Sequence, residues 1–301
     1  MAKAPGLEAG AVLLDVNRDG RTDVIAGRRA GGAELYWFEH PADPAATWPR
    51  HLIENRFETW HGLAVDDLDG DGSPEVLLLA GKDGALVSYA VPADPAAAPW
   101  PAESRREIVS GLGAVEGLAV ADLSGNGRRD VVAGPFICRA TPDGKGWEVR
   151  RYAGTLEMTE VATVDLDGDG RQEVVACEGD RQAGRLVWFK GPAWTSHPLR
   201  EDLFHPRTLV VTDFDGDGRP DILVAEMGLG RRQAPRMLLF RNLGAGRFQE
   251  TQVGQGVPTH GARAADVTGD GRPDVVGASY DPERHVDLWV NLGEQPVGSV
   301  R

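Results

Sequence analysis

Apolar residues in this chain come in short aliphatic runs, with no stripe at helical spacing. One run ends at an acidic, glycine-bearing stretch and a second follows it. Examples are Leu63, Ala64 and Val65 before Val76, Leu77, Leu78 and Leu79, and Leu209, Val210 and Val211 before Ile222, Leu223 and Val224. Runs of this length bounded by Gly and Asp predict strands buried on both faces. A third segment, rich in aromatics, follows at 34–38, 185–189 and 287–290, and a more polar fourth follows in most units, as at 50–53 and 247–251. Four strands per unit, repeated, predict an all-β architecture of four-stranded antiparallel sheets. A single sheet of this kind cannot bury both faces, whereas a ring of them can, which points to a β-propeller.

The stretch between the first and second runs is one motif in six copies: Asp-x-Asx/Ser/Thr-x-Asp/Asn-Gly-x-x-Asp/Glu. It opens at Asp15, Asp67, Asp122, Asp165, Asp213 and Asp266, at intervals of 52, 55, 43, 48 and 53 residues. Units of about 50 residues fill 1–301, which predicts a single propeller domain of six blades, with seven as the alternative. The sixth unit has little chain after Val290, so its outer strand is expected from the C-terminal tail or from residues before Gly10.

Composition sharpens this picture. With 39 Gly and 20 Pro the chain suits tight turns, and two cysteines, Cys138 and Cys177, predict buried free thiols. No apolar run is long enough to span a bilayer. The opening MAKAPGLEAG holds no apolar leader, so the chain reads as cytoplasmic if Met1 is the native start and as secreted or periplasmic if a leader has been trimmed. The formal charge of −14 argues against nucleic acid as a partner. Twenty of the 46 acidic residues lie inside the six motifs, and without them 26 acids face 32 bases. The acidity therefore belongs to the loops.

Positions one, three, five and nine of each motif bear oxygen, and the glycine at position six supplies the bend. Such a set suits a hard divalent cation with oxygen ligands at about 2.3–2.6 Å. The candidate ligands are Asp15, Asn17, Asp19 and Asp23; Asp67, Asp69, Asp71 and Glu75; Asp122, Ser124, Asn126 and Asp130; Asp165, Asp167, Asp169 and Glu173; Asp213, Asp215, Asp217 and Asp221; and Asp266, Thr268, Asp270 and Asp274. Position seven is Arg or Ser, with its side chain free to face solvent. Up to six structural Ca²⁺ ions are expected, the third loop being the weakest because Ser124 and Asn126 replace two acids.

These loops resemble the calcium loops of FG-GAP and VCBS repeats, found in integrin α-subunit propellers and many bacterial propellers. The resemblance implies that each loop joins the innermost strand of a blade to the next. A weaker resemblance to the propeller of aldos-2-ulose dehydratase rests on LYWFEHPADPAATWPRHLIEN followed by TWHGLAVDDLDGDG, and on RLVWFKGPAWTSHPLRED. In that family a His precedes the loop as His61 and His260 do here, and the propeller is associated with metal-dependent sugar dehydration.

If the loops line one face of the propeller, the starts of the first strands open on the other. Six residues before four of the motifs stand His61, Glu116, Arg207 and His260, the candidate catalytic set. Trp60, Glu160, Glu178, His205, Glu226 and Tyr280 are the candidate ligand-binding residues around them. Two His with Glu can hold a second divalent metal, and a His can act as a base with Arg207 steadying an oxyanion. The expected function is a lyase or dehydratase acting on a sugar-like or oxygen-rich, anionic small molecule. The alternative is a non-catalytic lectin-like or protein-interaction propeller. Trp37, Trp188 and Trp289 recur on third strands and His51 and His197 on fourth strands, which predicts packing within and between blades.

Overall fold

Alternation along the second strand of each blade explains how the sheets associate. In β6 (Glu75–Ala80) every residue is buried. Val76, Leu78 and Ala80 pack with Ile25, Leu35 and Trp37 of the preceding sheet, whereas Leu77 and Leu79 pack with Val131, Ala133 and Cys138 of the following one. Successive side chains leave opposite faces of a strand, so a continuous aliphatic run serves two neighbours at once.

The computed structural model describes residues 7–28, 34–57, 60–80, 84–157, 160–228, 234–279 and 285–293, with the side chains of 7–9, 28, 60 and 61 not described. It divides into two compact units, 1–157 and 158–301. In the first unit, blade one is β1 (Leu7–Leu14), β2 (Asp23–Arg28), β3 (Leu35–Phe38) and β4 (Arg50–Glu54). Blade two is β5 (Trp60–Asp66), β6, β7 (Ala85–Ala90) and β8 (Arg105–Val109). Blade three is β9 (Leu118–Ala121), β10 (Asp130–Ala133), β11 (Phe136–Ala140) and β12 (Trp147–Arg151). In the second unit, blade four is β13 (Glu160–Val164), β14 (Glu173–Cys177), β15 (Gly184–Lys190) and β16 (Thr195–Leu203). Blade five is β17 (Pro206–Thr212), β18 (Asp221–Glu226), β19 (Arg236–Asn242) and β20 (Phe248–Gln255). Blade six is β21 (His260–Ala265), β22 (Asp274–Ala278) and β23 (Val286–Trp289). Each sheet is an antiparallel meander in chain order, which makes the protein an all-β propeller of six blades, five four-stranded and the sixth three-stranded among the described residues.

Two expectations need adjusting. The first strands are less buried than the second, β13 being half-buried throughout and β17 alternating buried with half-buried, and as the first strand of the meander each has a sheet partner on one side alone. Residues 7–9 do not supply an outer strand to blade six, since β1 pairs with β2 inside blade one from Leu7 onward. The other candidates for that strand, 1–6 and 294–301, lie outside the described residues.

The aromatic packing follows the sequence reading. Trp37 is buried between blades one and two and stacks on His51 at 4.3 Å, and Trp188 is buried between blades four and five and stacks on His197 at 4.0 Å. Trp289 packs at the interface of blades five and six. Cys138 and Cys177 are buried free thiols, and burial pushes the Cys138 thiol up to about 12. The approach of blades two and three is set by Gly84, whose φ is +63° and whose added Cβ would lie 2.2 Å from the Gly113 carbonyl oxygen. Gly84→Ala is expected to cost about 2–3 kcal/mol, combining a left-handed backbone with a clash against main chain. A denaturation midpoint unchanged from the parent would show that this turn yields freely.

Candidate functional site

Each motif folds as a tight loop around its own first carboxylate. Asp213 illustrates it: Oδ1 accepts the Gly216 and Asp217 amides at 2.7 and 3.2 Å, and Oδ2 accepts Gly218 at 2.8 Å. The same turn forms at Asp15, Asp67, Asp122, Asp165 and Asp266. The position-six glycine carries φ between +79° and +88° in all six copies, a region that side chains other than glycine's resist.

Acids then converge. Ligand atoms of Asp67, Asp69 and Asp71 lie within 4.8 Å of one another, and so do those of Asp165, Asp167 and Glu173, and of Asp213, Asp215 and Asp221. Burial pushes Glu173 up to about 7; the Leu166 amide opposes this, and Asp167 and Asp169 add to it. Glu75 and Asp221 are raised by burial in the same way, reinforced by the acids of their own loops. Asp167 Oδ1 is buried with no hydrogen-bond partner among the described residues. Crowded carboxylates with an orphaned buried oxygen form a donor set that fits a divalent cation.

Position nine does more than close the set. Asp23, Glu75, Asp130, Glu173, Asp221 and Asp274 are all buried. Asp221 accepts the Phe214 amide at 3.0 Å and the Asn242 amide at 2.8 Å, so one carboxylate joins the loop to the end of the third strand. Asp23 does the same with Val16 and His40, and Asp274 with Val267 and Asn291. In these three blades the position-seven arginine is not free. Arg21, Arg219 and Arg272 donate Nε to the carbonyls of His40, Asn242 and Asn291 at 2.8, 2.8 and 2.9 Å, while the guanidinium also pairs with Asp19, Asp217 and Asp270. Acid and base thus hold the N–H and C=O of a single residue.

In the second unit the loops are also stapled to the next blade. The Asn242 side-chain amide donates to the Leu166 carbonyl at 2.7 Å, and that of Asn291 donates to the Phe214 carbonyl at 2.8 Å. Sequence reasoning missed these asparagines and the arginine clamps. Their signal was present in the recurrence of Asn-Leu-Gly after the third strands at 242–244 and 291–293, and in arginine at position seven of five motifs.

The third loop is different in kind. Asp130 is held by both nitrogens of one face of Arg139, at 3.0 and 3.2 Å, so its charge is already neutralised.

The starts of the first strands can be placed within each unit. In the first, His61 and Trp60 sit on β5 with their side chains outside the described residues, and half-buried Glu116 precedes β9, the neighbour of β5. In the second, Arg207 lies on β17 and pairs with Asp180 at 3.4 Å, and half-buried His260 opens the adjacent β21. Half-buried Glu160 opens β13. Tyr280 lies outside the described residues. Two expected ligand-binding acids are engaged within their own blades. Buried Glu178 takes Arg185 through Nε at 2.6 Å and Nη2 at 2.8 Å, and buried Glu226 takes Arg236 at 3.1 and 2.6 Å. His205 holds a left-handed backbone, φ +48°, and its Nδ1 is buried without a partner among the described residues.

No helix among the described residues is long and apolar enough to cross a membrane. No curated protein matches the chain. Among solved structures, that of BBS1N in complex with ARL6DN, soaked with mercury, aligns with a TM-score of 0.61 at 10% identity, covering 94% of this chain and 79% of that one. The V. cholerae biofilm matrix protein Bap1 aligns with a TM-score of 0.53 at 11% identity, covering 94% and 77%. At such identities the likeness is one of fold. The FG-GAP-like repeat family matches residues 15–78, 165–224 and 213–277, which take in more than half of the chain and five of the six motifs, and the chain belongs to that family.

Proposed function

We propose that the chain is one calcium-stabilised β-propeller domain whose first-strand entrances bind an oxygen-rich, sugar-like small molecule and act on it as a lyase or dehydratase. The observation that carries the metal reading is the convergence of ligand atoms within 4.8 Å in three loops, with Asp167 Oδ1 left buried and unpartnered. Asp67, Asp69, Asp71 and Glu75 would hold an ion in the second loop, Asp165, Asp167, Asp169 and Glu173 in the fourth, and Asp213, Asp215, Asp217 and Asp221 in the fifth. The bound ion supplies positive charge that offsets carboxylate repulsion. The chain's own amides at Leu68, Leu166 and Phe214 orient the position-nine acid of each loop.

The catalytic part rests on two pairs of neighbouring first strands. In one, His61 would take a proton from carbon beside a carbonyl, with Glu116 on the adjacent blade receiving a substrate hydroxyl. In the other, His260 would act as the base and Arg207 would steady the enolate oxygen. Loss of hydroxide from the next carbon, taking up a proton to leave as water, completes a dehydration. A second divalent ion at either pair would polarise the same carbonyl.

The test is a screen of the purified protein against uronate-containing oligosaccharides and keto-sugars, following formation of the unsaturated product. Turnover that falls at least a hundredfold (about 10²-fold for a lost acid–base group) in His61→Ala or His260→Ala, at an unchanged calcium-dependent melting temperature, supports the reading. Sugar binding without turnover in the parent assigns the lectin-like alternative, and both variants reacting normally removes these histidines from the chemistry.

A further inference from the structure

The six loops share one motif, yet the residue facing each of them from the third strand differs. The ladders pair Ala90 with Glu75 and Arg139 with Asp130, and continuing the register by one residue sets Glu39, Lys190, Arg241 and Val290 opposite the position-nine acids of blades one, four, five and six. Three of these are cations, and each touches its loop. Arg139 neutralises Asp130, Lys190 Nζ pairs with Asp167 and lies 2.8 Å from Asp169, and Arg241 reaches Asp215 through Nε at 2.8 Å and Nη2 at 2.5 Å.

Lys190 and Arg241 sit on acids that belong to the metal-holding sets, Asp167 in one and Asp215 in the other. The second loop has neither source of positive charge. Its position seven is Ser73, where every other loop has arginine, and its third-strand residue is Ala90. By count of acids the second, fourth and fifth loops are equal, with four each. By the charge that reaches them they are not.

Resting on the calcium reading above, we propose that Lys190 and Arg241 are resident counter-cations of the fourth and fifth loops, which a divalent ion must displace, and that the second loop therefore fills first. An ammonium and a divalent ion cannot share Asp167 without strong repulsion at this separation. Lys190 is a flexible side chain, about a third exposed, and can swing into water when the ion arrives. The exchange trades one cation for another, so the fourth loop binds more weakly than its four carboxylates imply, yet stays intact when no metal is bound. Arg241 does the same for the fifth loop, with a planar group that leaves less readily.

Calorimetric titration of the full, metal-stripped chain with Ca²⁺ reads this directly. Lys190→Met is expected to tighten one of the weaker sites on the order of tenfold, whereas Lys145→Met, in an exposed turn of blade three, leaves that site as it was. Superimposable isotherms for the parent and Lys190→Met would overturn the proposal while leaving calcium binding in place. A parent chain that takes up no Ca²⁺ would instead remove the calcium reading, and this inference with it. Acetylation of the unmutated protein gives a readout free of folding effects: Lys190 labelling rises on calcium saturation and Lys145 labelling does not. Equal labelling of Lys190 with and without calcium also overturns the proposal.

Discussion

Stripping the protein of divalent ions is expected to lower its melting temperature by more than ten degrees, with recovery in Ca²⁺ and poor recovery in Mg²⁺. A ligand present at about 100 times its dissociation constant adds ~2.7 kcal/mol per site. Filling the second, fourth and fifth loops alone would then contribute about as much as the roughly 5–15 kcal/mol by which a typical domain is stable. The loops are also joined to the blades around them. The Leu166 carbonyl accepts Asn242 of the next blade and the Phe214 carbonyl accepts Asn291, so a loop that relaxes under its own repulsion loosens the contact between two sheets. Mg²⁺ demands near-octahedral ligands at about 2.0–2.1 Å and gives up water reluctantly, which these wide oxygen sets do not suit. An unchanged melting temperature in protein shown to be metal-free would refute calcium stabilisation.

The architecture was legible because its determinants are local and repeated. Each Asp-Gly loop fixes a turn, each aliphatic run after it fixes a central strand, and six copies fix six blades. The first strands misled in their burial because apolar composition reports that a strand packs, not how many neighbours it has. Position seven misled for a related reason. Arg219 reads as a solvated side chain in the line of sequence, but the antiparallel return of β19 brings the Asn242 carbonyl alongside it. The roles of Lys190 and Arg241 were hidden in the same way, since each lies at least 20 residues beyond the acids it meets. Glu178 and Glu226 were read as candidate ligand-binding acids, but their arginine partners depend on the register of the third strand, which the motif spacing does not fix.

Two acids of the same loop should separate when each is removed with and without calcium. Asp217 is partly exposed, and its carboxylate accepts the Arg219 amide at 2.9 Å and pairs with the Arg219 guanidinium. Exposed pairs of this kind contribute about 0–1 kcal/mol, so Asp217→Ala should be nearly silent in metal-free protein and costly only when calcium is saturating. Asp221 is fully buried and accepts the Phe214 and Asn242 amides, neither of which has water to turn to once the carboxylate is gone. Leaving buried donors unmade costs about 1–3 kcal/mol each, so Asp221→Ala should lower stability by roughly 3 kcal/mol or more in either condition. Melting temperatures of the two variants and the parent, each measured in chelator and in excess Ca²⁺, give the comparison. If Asp221→Ala were silent in chelator, position nine would be a metal ligand alone; if Asp217→Ala were equally damaging in both conditions, its effect would lie in the turn and not in the ion.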